Sequence, residues 1–84
     1  MANFGTAISS IERLILLKSL IKKDRCVCEL EVILDKSQST VSHHLRKLET
    51  SELVKGYKKG NFTYYHLNKK NLIELIDIFK NFML

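Results

Sequence analysis

Residues 35–48 read Asp-Lys-Ser-Gln-Ser-Thr-Val-Ser-His-His-Leu-Arg-Lys-Leu, and this stretch decides the fold. Val41, Leu45 and Leu48 stand at i, i+4 and i+7, so a helix here carries one narrow apolar stripe that can anchor it to a core. Ser37 is a good N-cap, because its hydroxyl can accept an amide proton that a helix start leaves without a partner. Gln38, Ser39, Thr40 and Ser42 put short hydrogen-bonding side chains around the first turn, while His43, Arg46 and Lys47 fall on other faces. Polar groups at the N-terminal end and a narrow anchor are what recognition of a DNA major groove requires.

The flanking sequence extends this reading in both directions. Upstream, Asp35-Lys36-Ser37 is a turn, preceded by a short helix from about Val27 to Leu34 with Leu30, Ile33 and Leu34 inward. Asp24 and Arg25 form a break. Before it, Ile8, Ile11, Leu14, Ile15, Leu17, Leu20 and Ile21 recur at helical spacing behind Ser9 or Ser10 as cap, and Lys22-Lys23 suits the negative end of the helix dipole. Downstream, the recognition helix ends near Ser51. Leu53–Lys58 and Asn61–Leu67 are rich in β-branched and aromatic residues around a Lys59-Gly60-Asn61 turn, the pattern of a β-hairpin. A last helix from about Lys69 to Phe82 has only Glu74, Asp77 and Asn81 as a polar stripe, so it must be covered on more than one side, and a second copy of the chain is the expected cover.

Helix, helix, turn, helix, hairpin, helix is the order of a winged helix-turn-helix, mainly α with a β-hairpin wing (α+β). With these elements placed, the chain resembles the ArsR/SmtB family of metal- and metalloid-responsive repressors. Three segments carry the resemblance: Cys26-Val-Cys-Glu-Leu30; Gln38 to Leu48, with the family's S-x-H-L at Ser42, His44 and Leu45; and the wing ending Tyr64-Tyr65-His66-Leu67. The resemblance covers nearly the whole chain. It implies a homodimer that binds an inverted-repeat operator in double-stranded DNA and lets go when an inducer binds. One domain spans 1–84, with dimerisation helices at about 4–22 and 69–83, the helix-turn-helix at about 27–51 and the wing at about 53–67.

Within this frame, Ser37, Gln38, Ser39, Thr40, Ser42 and His43 are expected at the DNA, with Arg46 and Lys47 reaching further. His44, beside the Leu45 anchor, is expected to be a hydrogen-bonded structural residue. Lys55, Tyr57, Lys58, Lys59, Asn61 and Thr63 of the wing are expected to track phosphates, which position a protein without reading sequence. Hairpin lysines are also commonly just solvated. Phe4, Ile8, Ile11, Leu72, Ile76, Phe79 and Phe82 are the expected dimer seam, the alternative being that they fill the monomer core.

Cys26 and Cys28 are the only thiols, and both are expected to stay reduced in a cytoplasmic protein. On a regular helix, positions i and i+2 point roughly 200° apart, so one ion could use both only by bending that turn. In arsenic-responsive relatives the C-x-C motif is often followed by a third cysteine; here Glu31 stands in its place. The resemblance therefore implies arsenite or antimonite on two thiolates, or zinc or cadmium with added help from Glu29, Glu31 or the second subunit. A packing pair with no inducer and a thiol redox switch remain open beside it. Zinc-responsive relatives place Asp, His, His and Glu on the last helix. Here that segment begins Asn68-Lys69-Lys70-Asn71 and has no histidine, so no metal is expected there and no cofactor is required.

The bulk properties agree. At 84 residues there is room for one domain, which buries only about 60–65% of the surface its unfolded chain exposes. A net charge of +5 favours a polyanionic partner. No long apolar run or basic leader is present, so no membrane partner or export is expected. The absence of a glycine-rich phosphate loop and of paired carboxylates, in so small a chain, argues against an enzyme. A winged-helix module that binds protein is the other non-catalytic reading.

Overall fold

A computed structural model describes residues 10–83. The elements are α1 (Ile11–Lys22), β1 (Arg25–Cys26), α2 (Val27–Leu34), α3 (Gln38–Thr50), β2 (Val54–Lys59), β3 (Phe62–Leu67) and α4 (Lys69–Met83). The three strands form one antiparallel sheet in the order β1-β3-β2. This is a winged helix-turn-helix.

Leucine dominates the core. Leu16 and Leu20 of α1, Leu30 of α2, Val41, Leu45 and Leu48 of α3, Leu53 after it and Leu67 of β3 are all essentially inaccessible to solvent. They form one cluster, joined by Leu17, Leu34, Val54 and Leu75. Each such leucine contributes roughly 1.5–3 kcal/mol of burial. The stripe read from the sequence of α3 is therefore the face that faces inward.

Local chemistry sets the element ends. Asp35 closes α2 in the left-handed region (φ 52°), and its N–H and that of Lys36 bond back to Val32 and Glu31 carbonyls. Ser37 then starts α3 by accepting the Thr40 N–H at 3.3 Å. Asn68 accepts the Asn71 N–H at 3.1 Å, and Asn71 Nδ2 donates to the Glu52 carbonyl at 2.7 Å, fastening the start of α4 to the end of the helix-turn-helix. In the hairpin, Gly60 turns the chain at φ 62°, while Gly56 has a different task. A Cβ on Gly56 would lie 3.1 Å from the Tyr65 ring on the paired strand, so glycine lets that ring lie flat across β2.

Four expectations need correction. The break at Asp24-Arg25 is partly a strand: Arg25 and Cys26 pair with Tyr65 and Tyr64, making the wing three-stranded. A two-residue strand has no periodicity by which to be recognised. Ile33 was expected inward but is 40% exposed, because a two-turn helix buries only the stripe holding Leu30 and Leu34. Of the two candidate caps, Ser10 precedes α1, but its hydroxyl donates to Glu12 and caps nothing. The helix begins at Val27 as expected, but Cys26, treated as helical in setting the two thiols roughly 200° apart, is its N-cap in extended backbone. Phe4 and Ile8, and the portion 4–9 of the first dimerisation helix, lie outside the described residues.

Leu45→Ala should lower unfolding free energy by about 2–5 kcal/mol, the usual cost of a cavity at a sealed leucine. Urea denaturation followed by circular dichroism measures this. A loss under 1 kcal/mol would mean that the α3 anchor is loosely packed.

Candidate nucleic-acid interface

With Val41, Leu45 and Leu48 buried, helical geometry turns Ser39, His43 and Arg46 to the opposite side of α3, within an arc of about 60°. All three are exposed, as are Gln38 and Lys47, and Ser42 is half-buried. Ser37, Ser39 and Thr40 are partly occupied with one another. The Ser37 hydroxyl donates to Thr40 Oγ1 at 3.0 Å and stands 3.2 Å from Ser39 Oγ. These three build the helix start, whereas Gln38, Ser42, His43 and Arg46 have no such local engagement in the hydrogen bonds of the described residues.

The strand register sorts the wing into two faces. Val54/Leu67, Gly56/Tyr65 and Lys58/Thr63 are paired on the side of the core and α3. Lys55/His66, Tyr57/Tyr64 and Lys59/Phe62 are paired on the other side. Lys58, Asn61 and Thr63 share a cleft of about 420 Å³ with Gln38 and Ser42 of α3. Lys55, Tyr57 and Lys59 do not line it. The expected wing set is thus divided, with Lys58, Asn61 and Thr63 beside the recognition helix. The seat of this arrangement is Tyr65. Its hydroxyl donates to Glu49 of α3 at 3.1 Å, and burial followed by the Glu49 charge pushes its pKa up to about 12.

The outer face carries a polar clamp that the sequence reading did not find. Tyr57 donates to Asp24 Oδ2 at 2.6 Å, and His66 Nδ1 lies 2.7 Å from Asp24 Oδ1. These bonds, Tyr57 first, hold the Asp24 carboxyl below its ordinary range. The Tyr57 ring stacks on Tyr64, whose face also receives the Lys59 ammonium 5.6 Å from its centroid. The Tyr57 hydroxyl, expected at a phosphate, is committed to Asp24. The partners are 33 and 42 residues apart in sequence, so no local motif announces them.

His44 also differs from expectation. Its Nδ1 is buried without a hydrogen-bond partner among the described residues. Desolvation, then the nearby Arg13 charge, lowers its pKa, which favours the neutral ring. It is packed in place and not bonded through that nitrogen.

Cys26 and Cys28 form a disulfide, contrary to the expectation of reduced thiols. The helical argument that set them apart fails because Cys26 is extended at the N-cap, which leaves the two Cα atoms 5.3 Å apart, inside disulfide range. Cys26 is buried. Its sulfur accepts the Glu29 N–H at 3.4 Å, and its own N–H donates to Glu29 Oε1 at 3.1 Å, a capping box. Glu29 also pairs with Arg25 at 3.6 Å. Cys28 is exposed and, with Glu31, lines the cleft between α3 and the wing. Among the described residues no group of three or more His, Cys, Asp or Glu side chains is set to hold a metal ion. No helix among them is long and apolar enough to cross a membrane.

An exposed polar helix anchored by a leucine core, with a lysine-bearing hairpin at its side, defines a winged helix-turn-helix DNA-binding domain. The model of bacterial regulatory proteins of the arsR family matches residues 12–55, and the chain belongs to that family. The family so matched is one of bacterial regulatory proteins. The chain is 37% identical over 75 residues to a transcriptional repressor SmtB homolog of Synechocystis sp., a match covering 89% of this chain and 57% of that protein. The chain thus spans somewhat more than half the length of that relative. Among solved structures, a possible transcriptional regulator for arsenical resistance superposes with a TM-score of 0.86 at 31% identity, covering 93% of this chain and 81% of that one. A homodimeric winged helix-turn-helix domain from Mycobacterium bovis shares the fold, with a TM-score of 0.78 at 23% identity over 94% of this chain and 73% of that one.

The state of His44 has a pH signature. Its folded pKa lies below the ordinary 6.5, so the unfolded chain binds the proton more readily. Stability should be full above 6.5 and fall as pH drops from there through the lowered value. Melting temperatures across this range should decline more steeply for the wild type than for His44→Gln; parallel curves would show that His44 is not the titrating group.

Proposed function

We propose that the chain acts as a homodimeric repressor that holds an inverted-repeat operator through α3 and the wing, and is released when a thiophilic metal or metalloid takes the reduced Cys26/Cys28 pair. The observation that carries this is the shared cleft: Gln38 and Ser42 of the recognition helix, Lys58 and Thr63 of the wing, and Cys28 line one concavity. A ligand at the thiols would therefore change the surface that meets DNA. In this reading Gln38, Ser42, His43 and Arg46 contact bases, while Ser37, Ser39 and Thr40 mainly set the helix start. Lys58, Asn61 and Thr63 meet the backbone, with Lys55, Lys47 and Lys59 adding to the long-range field.

The second copy is argued from α1 and α4. Leu14 and Ile21 of α1 and Ile76 and Phe79 of α4 line one apolar groove and are each 45–51% exposed. Phe82 is 88% and Ile11 70% exposed nearby in sequence, and Leu72 is half-buried in the groove. So much apolar surface on a chain this small favours a self-complementary interface. Two recognition helices would then meet half-sites about 34 Å apart.

Binding the inducer requires reduction of the disulfide by a dithiol, which is itself oxidised to a disulfide while the two cysteines become thiols; the pair then supplies two thiolates as ligation releases their protons. Arsenite or antimonite suits such soft ligands, and cadmium or zinc would draw in oxygen from Glu31, since the Glu29 carboxylate is engaged by Cys26 and Arg25. The disulfide itself favours a second reading, a regulator that answers to thiol redox state without a metal.

Fluorescence anisotropy with the upstream region of its own gene tests the first reading. Arsenite, cadmium and zinc should release DNA from the reduced wild type, with at least one of them failing on the Cys26→Ser/Cys28→Ser variant. Equal release from both would remove the thiols as the sensor. Lys58→Ala should weaken binding to all sequences and flatten the log–log salt dependence by about 0.9. Arg46→Ala should cost about 1–3 kcal/mol if it reads a base, and a loss confined to the cognate operator would show that it does. Ile76→Glu/Phe79→Glu should sediment as a monomer and lose operator affinity; a variant still dimeric would place the seam elsewhere.

A further inference from the structure

We propose that Cys28 is a site of reversible S-thiolation by low-molecular-weight thiols, and that the adduct fills the cleft between the recognition helix and the wing. The inference rests on the DNA-binding reading for its consequence, but not for its chemistry.

The two sulfurs of the disulfide are not equivalent. Cys26 is 4% exposed, packed beneath its pairing with Tyr64, whereas Cys28 lies at the surface one position into α2. An incoming thiolate can reach only the Cys28 sulfur. Attack there forms a new S–S bond between the small thiol and Cys28 Sγ and breaks the Cys26–Cys28 bond. The electron pair leaves on Cys26 Sγ, so charge is conserved and no external oxidant or reductant is needed. The leaving sulfur is already met by a donor, the Glu29 N–H at 3.4 Å, at the positive end of a helix of eight residues. Geometry thus makes Cys28 the attacked sulfur and Cys26 the leaving group. The reverse step, Cys26 attacking Cys28, expels the small thiol and restores the disulfide.

The place of the adduct follows from what surrounds Cys28. The cleft it lines with Glu31, Gln38, Ser42, Lys58 and Thr63 holds about 420 Å³ and offers amide, hydroxyl and ammonium groups, with the Glu31 carboxylate beside Cys28 able to meet the ammonium of a peptide-like thiol. The other groove at Cys28 is lined by Val32 and Ile33 with Arg25 and Glu29, whose charges are paired with each other, so its free surface suits an apolar occupant. A peptide-like thiol carrying carboxylates matches the first, where the Lys58 ammonium meets its charge. Lodged there, it covers Gln38 and Ser42, takes Lys58 away from phosphate and adds negative charge facing the duplex.

Glutathione is the probe. The oxidised full chain, incubated with reduced glutathione, trapped with maleimide and mapped by peptide mass spectrometry, should carry glutathione on Cys28 and maleimide on Cys26. In Cys26→Ser, where serine retains a capping side chain, oxidised glutathione should give a lasting adduct on Cys28. That adduct should weaken operator binding by roughly tenfold or more, through lost phosphate contact and added like charge, and dithiothreitol should reverse it. Cys28→Ser under the same treatment should stay unmodified and keep its affinity. Glutathione on Cys26, or equal amounts on both, overturns the site. A Cys28 adduct with unchanged operator affinity overturns its consequence. If no form of the chain prefers the operator over random duplex, the repressor reading fails and the blocking role with it, while the mapping still decides the site of attack.

Discussion

The packing of Val41, Leu45 and Leu48 against the leucines of α1 and α2 is the constraint on which the rest depends. A helix has one circumference. Once this stripe is sealed, Ser39, His43 and Arg46 have only solvent or a partner to face, and no separate force is required to present them. The same seal fixes the angle of α3, and Glu49 on it takes the Tyr65 hydroxyl, so the hairpin is set relative to the helix. Probe and wing are thus consequences of one apolar contact, with Gly56 permitting the ring that joins them.

Much of this was legible in the sequence because it is local or periodic. The α3 stripe, its Ser37 cap, the alternating hairpin and the nearly all-apolar last helix each announce themselves within a short window, and the S-x-H-L and Tyr64–Leu67 segments pointed to the family. Features that depend on distant partners were not legible. The Asp24 clamp joins residues far apart in sequence, and β1 is too short to have a period. The wing lysines were read as one group because sequence supplies strand alternation but not which face meets α3; the register of Lys58 with Thr63 decides that. The cysteines were misread for a local reason. One residue of displacement, from helix to N-cap, converts two divergent thiols into a bonded pair.

Cys26 concentrates several duties in one side chain. It pairs with β3, starts α2, exchanges hydrogen bonds with Glu29 and holds Cys28. Such economy suits a chain of 84 residues, in which few positions are free of structural work. It also means that chemistry at this pair is felt by both the sheet and the helix-turn-helix, the two parts that meet at the cleft.

The Asp24 carboxylate has a mechanical reach beyond its two bonds. It sits just past the end of α1, and its acceptors hold Tyr57 and His66 on both long strands of the hairpin. In a twofold assembly built on α1 and α4, this strut would carry any tilt at the subunit seam into the attitude of each hairpin. The spacing of the two protein halves and the grip of their flanking arms would then be geared together, and the length of the short connector holding Lys23 and Asp24 would act as the gear ratio.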